Sequence, residues 1–234
     1  MKKTTTILCL GIALCMLGCS DDDDQVTTTS TVPFSLTASL SPRSSDAEDT
    51  GILQGNWDAN SQLAVMKTGS SGVPKTILTR ETDSSDTFTG NLSTLVKNEN
   101  EIAVFYPAAA ITANSSDTLT QTLNLSGQDG TPAGITNYDY LWAQCKAGMN
   151  ETTGSSACEM TSLVTIGKFQ FTVNGGSPLN NITRITITAT AGTLYSSAVM
   201  KLKNGEFSST QTGNITIKNK AGISGTTYIS FFPS

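Results

Sequence analysis

The sequence predicts an all-β protein of one or two β-sandwiches behind an N-terminal export leader. Three observations carry that expectation. Short stretches alternating apolar and polar residues recur along the chain, clusters of Gly, Pro, Asn and Asp separate them, and helical periodicity is missing beyond the leader. The 234 residues suffice for one large β-domain or two small ones.

The leader comes first. Lys2 and Lys3 precede an apolar stretch from Ile7 to Leu17, and Gly18 then precedes Cys19. This pattern over residues 1–18 reads as a secretory signal peptide, too short and wrongly flanked for a membrane-spanning helix. A small residue before Cys resembles the bacterial lipobox, in which the Cys is acylated and becomes the N-terminus. An ordinary signal peptide with an incidental Cys is the alternative. Ser20, Asp21, Asp22, Asp23 and Asp24 follow at once. Adjacent like charges repel and stay solvated, so folding does not explain the run. It resembles the export signal of Bacteroides-type surface lipoproteins, which implies an outer-membrane protein, lipid-anchored and facing outward. Otherwise it is a solvated tether. Residues 19–33 form this acidic, Thr-rich spacer.

Composition narrows the function. The net charge is −5, and loss of the leader removes two lysines and no acids. Nothing in that balance attracts nucleic acid or an anionic membrane surface. The chain has no His, the commonest general base and zinc ligand. Its acids stand mostly in turn-like stretches, no phosphate-binding Gly-rich loop opens a helix, and the acidic run lacks the alternating ligands of a calcium loop. An enzyme, a metal and a cofactor are therefore not expected. With Cys9 and Cys15 in the leader and Cys19 as lipid carrier, Cys145 and Cys158 remain. They either form a disulfide, which an exported protein permits, or serve as two small apolar core side chains.

The strands follow in order. PFSLTASL sends Phe34, Leu36, Ala38 and Leu40 to one face, and the polar loop SPRSSDAEDTG follows with Arg43 in it. QLAVMK (62–67), TFTG (87–90), EIAVFYP (101–107) and TLTQTLNLS (118–126) read as strands, and QDGTPAG (128–134) as a turn. YDYLWAQC (138–145) reads as a strand whose Tyr138, Tyr140 and Trp142 share one face, an aromatic ladder for packing or for sugar contact. SLVTIGKFQFTV (162–173), ITRITITAT (182–190), a hairpin over 198–209 turning at Asn204-Gly205, NITIKNKAG (214–222) and TTYISFFP (226–233) complete the series.

The order of these elements resembles the fimbrillin family, the Mfa-like surface proteins of Bacteroides-type bacteria. The likeness rests on the lipobox and acidic run, a first strand ending in SPR, GNWDANSQLAVM (55–66) with Trp57, and NEIAVFYP (100–107) with Tyr106-Pro107. It continues through Gln128-Asp129-Gly130-Thr131, NYDYLWAQ (137–144), GKFQFTV, ITRITITA and TTYISFFP, so it spans the chain from the lipobox to residue 233. Two departures stand out. The family's "GD" after the Trp is here DANSQ (58–62), and its usual His near Phe169 is absent.

The resemblance implies transthyretin-like β-sandwiches: a complete one over residues 34–160 and a second, incomplete one over 161–234, since related proteins continue further. It implies a structural or adhesive fimbrial subunit whose partners are other subunits, or copies of itself, joined by strand addition, with surface glycans or proteins as further partners. In stalk subunits a trypsin-like protease cuts after an Arg in the loop following the first strand, which here points to Arg43. Arg80 is the next candidate. A glycan-binding surface lipoprotein outside any fimbria is the alternative. Asp117-Thr118-Leu119 resembles an O-glycan acceptor with Thr118 as its site, or is a plain strand start.

Overall fold

Period-two burial along the chain explains most of the architecture. In the computed structural model, the described residues are 30–43, 49, 51–69, 72–112, 120–223 and 225–233. The first strand, β1 (Thr31–Leu40), buries every second residue. β2 (Gln62–Lys67), β3 (Thr76–Arg80), β4 (Thr87–Ser93) and β5 (Glu101–Tyr106) follow, then β6 (Thr120–Asn124) and one short helix, α1 (Pro132–Ile135). β7 (Leu141–Lys146), β8 (Gly148–Met149) and β9 (Gly154–Ser162) come next. β10 (Thr165–Gln170), β11 (Ile182–Ile187), β12 (Tyr195–Lys201), β13 (Phe207–Thr212), β14 (Ile215–Ile223) and β15 (Thr226–Phe231) end the series. The protein is all-β, as the alternation predicts.

The first half forms a ring. Strands pair in the order β1-β4-β3-β2-β5-β7-β9, and β9 returns to pair with β1, so the sheet closes on itself like a small barrel. β8 hangs on β9 as a short addition. The closing contact is parallel, Phe34 opposite Gly154 through Leu40 opposite Met160, whereas β1 meets β4 antiparallel. Closure leaves neither side of β1 as an open edge. Inside lie Phe34, Leu36, Trp57, Leu63, Leu78, Phe88, Ile102 and Val104 among others.

The second core gathers three small sheets: β10 with β15, β11 with β14, and β13-β12-β6. β6 therefore leaves its sequence neighbours and pairs with β12, and Leu123 and Leu125 pack in the second core. The two cores share a wall. Leu63 and Val65 of β2 face the first core while Ala64 and Met66 face the second. On β5, Ile102, Val104 and Tyr106 face one way, and Ala103 and Phe105 the other. The continuous apolar runs LAVM and IAVFY are what burial on both faces requires.

The sequence also predicts that YDYLWAQC is one strand from residue 138. Instead Tyr138 ends a 3-10 turn (Thr136–Tyr138), and the strand begins at Leu141. The cause lies upstream. The Thr131 hydroxyl accepts from the Gly134 N–H at 2.9 Å and starts α1, whose helical backbone runs on into the turn. The expected hairpin at Asn204-Gly205 forms between β12 and β13, with Gly205 at φ +70°.

Candidate functional site

β1 and the loop behind it make the candidate site. Alternation aims Phe34, Leu36 and Ala38 inward, where Leu36 is 0% exposed and faces Phe88 across the β4 pairing. Burial of two such large side chains contributes about 1.5–3 kcal/mol each. Trp57 fastens the end of the strand: its indole Nε1 donates to the Ala38 carbonyl at 2.7 Å. The Trp57 ring stands edge-on to Phe88 at 5.0 Å and to Tyr106 at 5.3 Å. Two separate motifs of the sequence thus meet behind β1.

The loop after β1 is pinned at three points. The Arg43 N–H donates to the Leu53 carbonyl at 3.0 Å. Its guanidinium grips the Asp139 carboxylate with both terminal nitrogens, Nη1 to Oδ1 at 2.5 Å, and reaches the Ser162 hydroxyl at 3.1 Å. Further on, buried Asp49 accepts from the Tyr228 hydroxyl and pairs with Lys168 at 3.2 Å, while Leu53 packs with Ile135 and Tyr228. The Arg43 side chain is therefore not the free, solvent-facing arginine that the polar sequence around it suggests. Only 22% of it is exposed, against 2% of Asp139. Burial pushes the Asp139 carboxyl up from its ordinary range, and Arg43 draws it partly back. Arg80 is likewise committed, donating to the Trp57 carbonyl at 2.6 Å and the Ser85 carbonyl at 2.7 Å.

The aromatic ladder turns out to be packing against the second core. Tyr138, Tyr140 and Trp142 all lie against that cluster, but only Trp142 stands on a strand. The Tyr140 hydroxyl donates to the Asn124 carbonyl at 2.7 Å, and burial pushes its phenol up to about 12. The Trp142 indole donates to the Leu202 carbonyl at 3.2 Å and lies against Gly205. A Cβ at Gly205 would come within 2.7 Å of that ring, so the turn glycine serves close approach as well as positive φ.

Cys145 and Cys158 are free thiols here, not a disulfide. Continuing the register of Leu141 with Ser162 and Trp142 with Thr161 sets them opposite each other on β7 and β9. Each thiol shifts the other, Cys145 down and Cys158 up, while Cys145 Sγ accepts from the Ser156 hydroxyl at 3.2 Å and Cys158 Sγ donates to Met160 Sδ at 3.9 Å. Both pack partly buried against the first core. Cys19, Ser20, Asp21 to Asp24 and Thr118 lie outside the described residues. Asp139 stands inside NYDYLWAQ, yet neither that motif nor the stretches around Asp49 and Ser162 name a partner, because each finds its own about a hundred residues or more away.

Gln128 explains the QDGT turn. It is buried, donates to the Leu125 and Ser230 carbonyls at 3.1 and 3.2 Å, and accepts from the Ser230 N–H at 2.7 Å. The turn ties the end of β6 to β15.

Comparison with solved structures decides the fold. A candidate cell adhesion protein from Bacteroides ovatus superposes with a TM-score of 0.56 at 17% identity, covering 88% of this chain and 79% of the other. A candidate cell adhesion protein from Bacteroides uniformis gives 0.50 at 12% identity, over 88% and 76% of the two chains. The chain has the fold of these proteins. At the level of fold this bears out the fimbrillin-like resemblance read from the sequence. A fimbrial assembly protein from Parabacteroides distasonis aligns over 88% of this chain and 78% of its own at 12% identity, with a TM-score of 0.43, too loose to argue from. No protein-family profile matches the sequence, and no curated protein does. The resemblance to the fimbrillin family therefore rests on backbone geometry and the order of motifs.

Proposed function

We propose that this chain is a structural or adhesive subunit of cell-surface fimbriae, held at the outer membrane by lipid on Cys19 and directed outward by Ser20 and Asp21 to Asp24. The observation that carries the reading is β1, a single strand that closes a ring and is followed in the next loop by a basic residue, Arg43. The fold shared with two candidate cell adhesion proteins supports it. In this reading each core is a transthyretin-like sandwich, divided near residue 160, with residues 120–125 contributed to the second.

Cutting after Arg43 releases β1 and the lipid together. It bares the partner backbone groups of β4 and β9 and the inner face that Phe34, Leu36 and Ala38 cover. A strand from a neighbouring subunit satisfies both, with main-chain hydrogen bonds supplying affinity. Asp49 and Leu53 keep the remainder of the loop docked on the second core. A protease pocket needs the Arg43 side chain free, so the pair with Asp139 must open first.

The test is immunogold electron microscopy of the native cell surface with antibody against this chain. N-terminal sequencing of assembled material should begin at Ser44, and Arg43→Ala should leave lipidated monomers. Fimbriae that form from this variant, or polymer that keeps residues 34–40, would remove strand exchange. A Cys19→Ala protein that still partitions into detergent would remove the lipid anchor. Surface exposure unchanged after Asp21 to Asp24 become Ala would remove the export signal. Intact mass without added hexose would remove glycosylation at Thr118.

A further inference from the structure

Between the strand end at Tyr106 and the loop before β2 lies an open cleft of about 280 Å³. Its walls are Asp58, Asn60 and Ser61 on one side, Thr136 and Asn137 on another, and the apolar surface of Pro107 and its neighbouring alanines. One polar group in it, the Asp58 carboxylate, lacks a hydrogen-bond donor, and a second, the Ser61 hydroxyl, is sealed in its wall without a partner. The Asp58 side chain is half-buried, and burial pushes its carboxyl up. It makes no hydrogen bond and no ion pair among the described residues, and nearby Arg80 is spent on two backbone carbonyls. Ser61 is 4% exposed, and its hydroxyl makes no hydrogen bond. It lies close enough to the Tyr106 phenol to ease that group's upward push, but not in hydrogen-bonding geometry. A half-buried carboxylate without a hydrogen-bond donor is left under-satisfied, so Asp58 is poised for a donor that a ligand supplies.

We propose that this cleft binds one hydroxyl-rich ring of a saccharide. The Asp58 carboxylate, whose charge Arg80 offsets only in part, disfavours an anion. Among the described residues no group of three acidic, Cys or His side chains could hold a metal ion, and a calcium site needs more oxygen ligands than one carboxylate supplies. A neutral polyol fits each group present. Its hydroxyls donate to Asp58, the rim carboxamides of Asn60 and Asn137 both donate and accept, and Pro107 with exposed Ala109 offers apolar surface to the C–H face. The ladder residues do not line the cleft, and Tyr140 and Trp142 already use their polar atoms. It does not depend on fimbrial assembly.

The experiment is saturation-transfer NMR on the folded chain with methyl glycosides of neutral hexoses, deoxyhexoses and N-acetylhexosamines. Arrays of mucin-type glycans and of bacterial polysaccharides then separate a host source from a bacterial one. At least one glycoside class should bind, and Asp58→Ala should weaken it about tenfold or more. Asn137→Ala, on the exposed rim, should weaken it without touching the fold, which covers the case of an unstable Asp58 variant. No binding by the native chain to any probe or array overturns the proposal. So does binding that both substitutions leave unchanged. Neither result bears on the fimbrial reading, which microscopy tests.

Discussion

Arg43 and Asp139 form a two-point ion pair across 96 residues of sequence, joining the end of β1 to the turn before β7. Asp139 is almost wholly buried, so the pair does more than a surface salt bridge, and loss of either partner leaves the other charge poorly compensated. The same side chain that the sequence offers to a protease is held inside the fold.

The first prediction concerns that clamp. Arg43→Ala should destabilise the chain by about 3 kcal/mol in urea unfolding, since it strands the Asp139 carboxylate. Asp139→Asn should free the arginine, so limited trypsin digestion should cut after Arg43 faster than in the wild type. Equal cleavage rates, with the new N-terminus at Ser44 in both, would show that the pair guards nothing.

Leu36→Ala should cost about 3 kcal/mol, because the leucine is fully buried and faces Phe88. Ser35→Ala, one residue away on the outer face, should stay within about 0.5 kcal/mol. Thermal unfolding of the two variants side by side tests whether β1 is part of the core that its alternation indicates. Similar losses in both would contradict the burial pattern.

Asp58 should make stability fall as pH rises. Burial raises its folded-state pKa above the unfolded value, so its protonated form favours folding. That contribution is fully present below the ordinary Asp value of about 3.9 and is lost as pH rises through the folded pKa. Asp58→Asn should therefore unfold at higher denaturant than the wild type at pH 7, and the gap should close on acidification. A gap that widens at low pH would contradict the assignment.

Cys145 and Cys158 should form an intramolecular disulfide when treated with oxidised dithiothreitol, the two thiols losing two hydrogens to it. The loop enclosed is short, and the gain should be about 3 kcal/mol in the chain-entropy model. Thiol titration before and after, with intact mass under non-reducing conditions, reads the result. Two free thiols after oxidation, or cross-linked dimers instead, would show that the opposed positions do not allow the bond.

Local pattern alone determined a good deal here. The alternation in PFSLTASL named the buried face of β1, and Asn204-Gly205 named a hairpin turn. The runs LAVM and IAVFY marked strands, which are β2 and β5. These are legible because burial of a strand face and a positive-φ turn are each written within a few adjacent residues.

The tertiary structure alone decided the rest. β3 and β9 escaped notice because TILTR and GSSACEMTS carry too few apolar residues for their alternation to show. The parallel contact of β1 with β9 closes the ring, yet neither strand encodes its partner. β6 alternates well, but only packing assigns it to the second core, beside β12. Arg43 looked solvent-facing because its neighbours are polar, and its partner comes from a turn shaped by a capping threonine. Asp58 and Ser61 lie in DANSQ, the stretch that departs from the family pattern, and only the fold sets them against Tyr106 and Asn137. The physical reason is common to all of these. Periodicity records which side of a segment is buried, whereas partners, ring closure and clefts depend on contacts between residues far apart in the chain, which no local window contains.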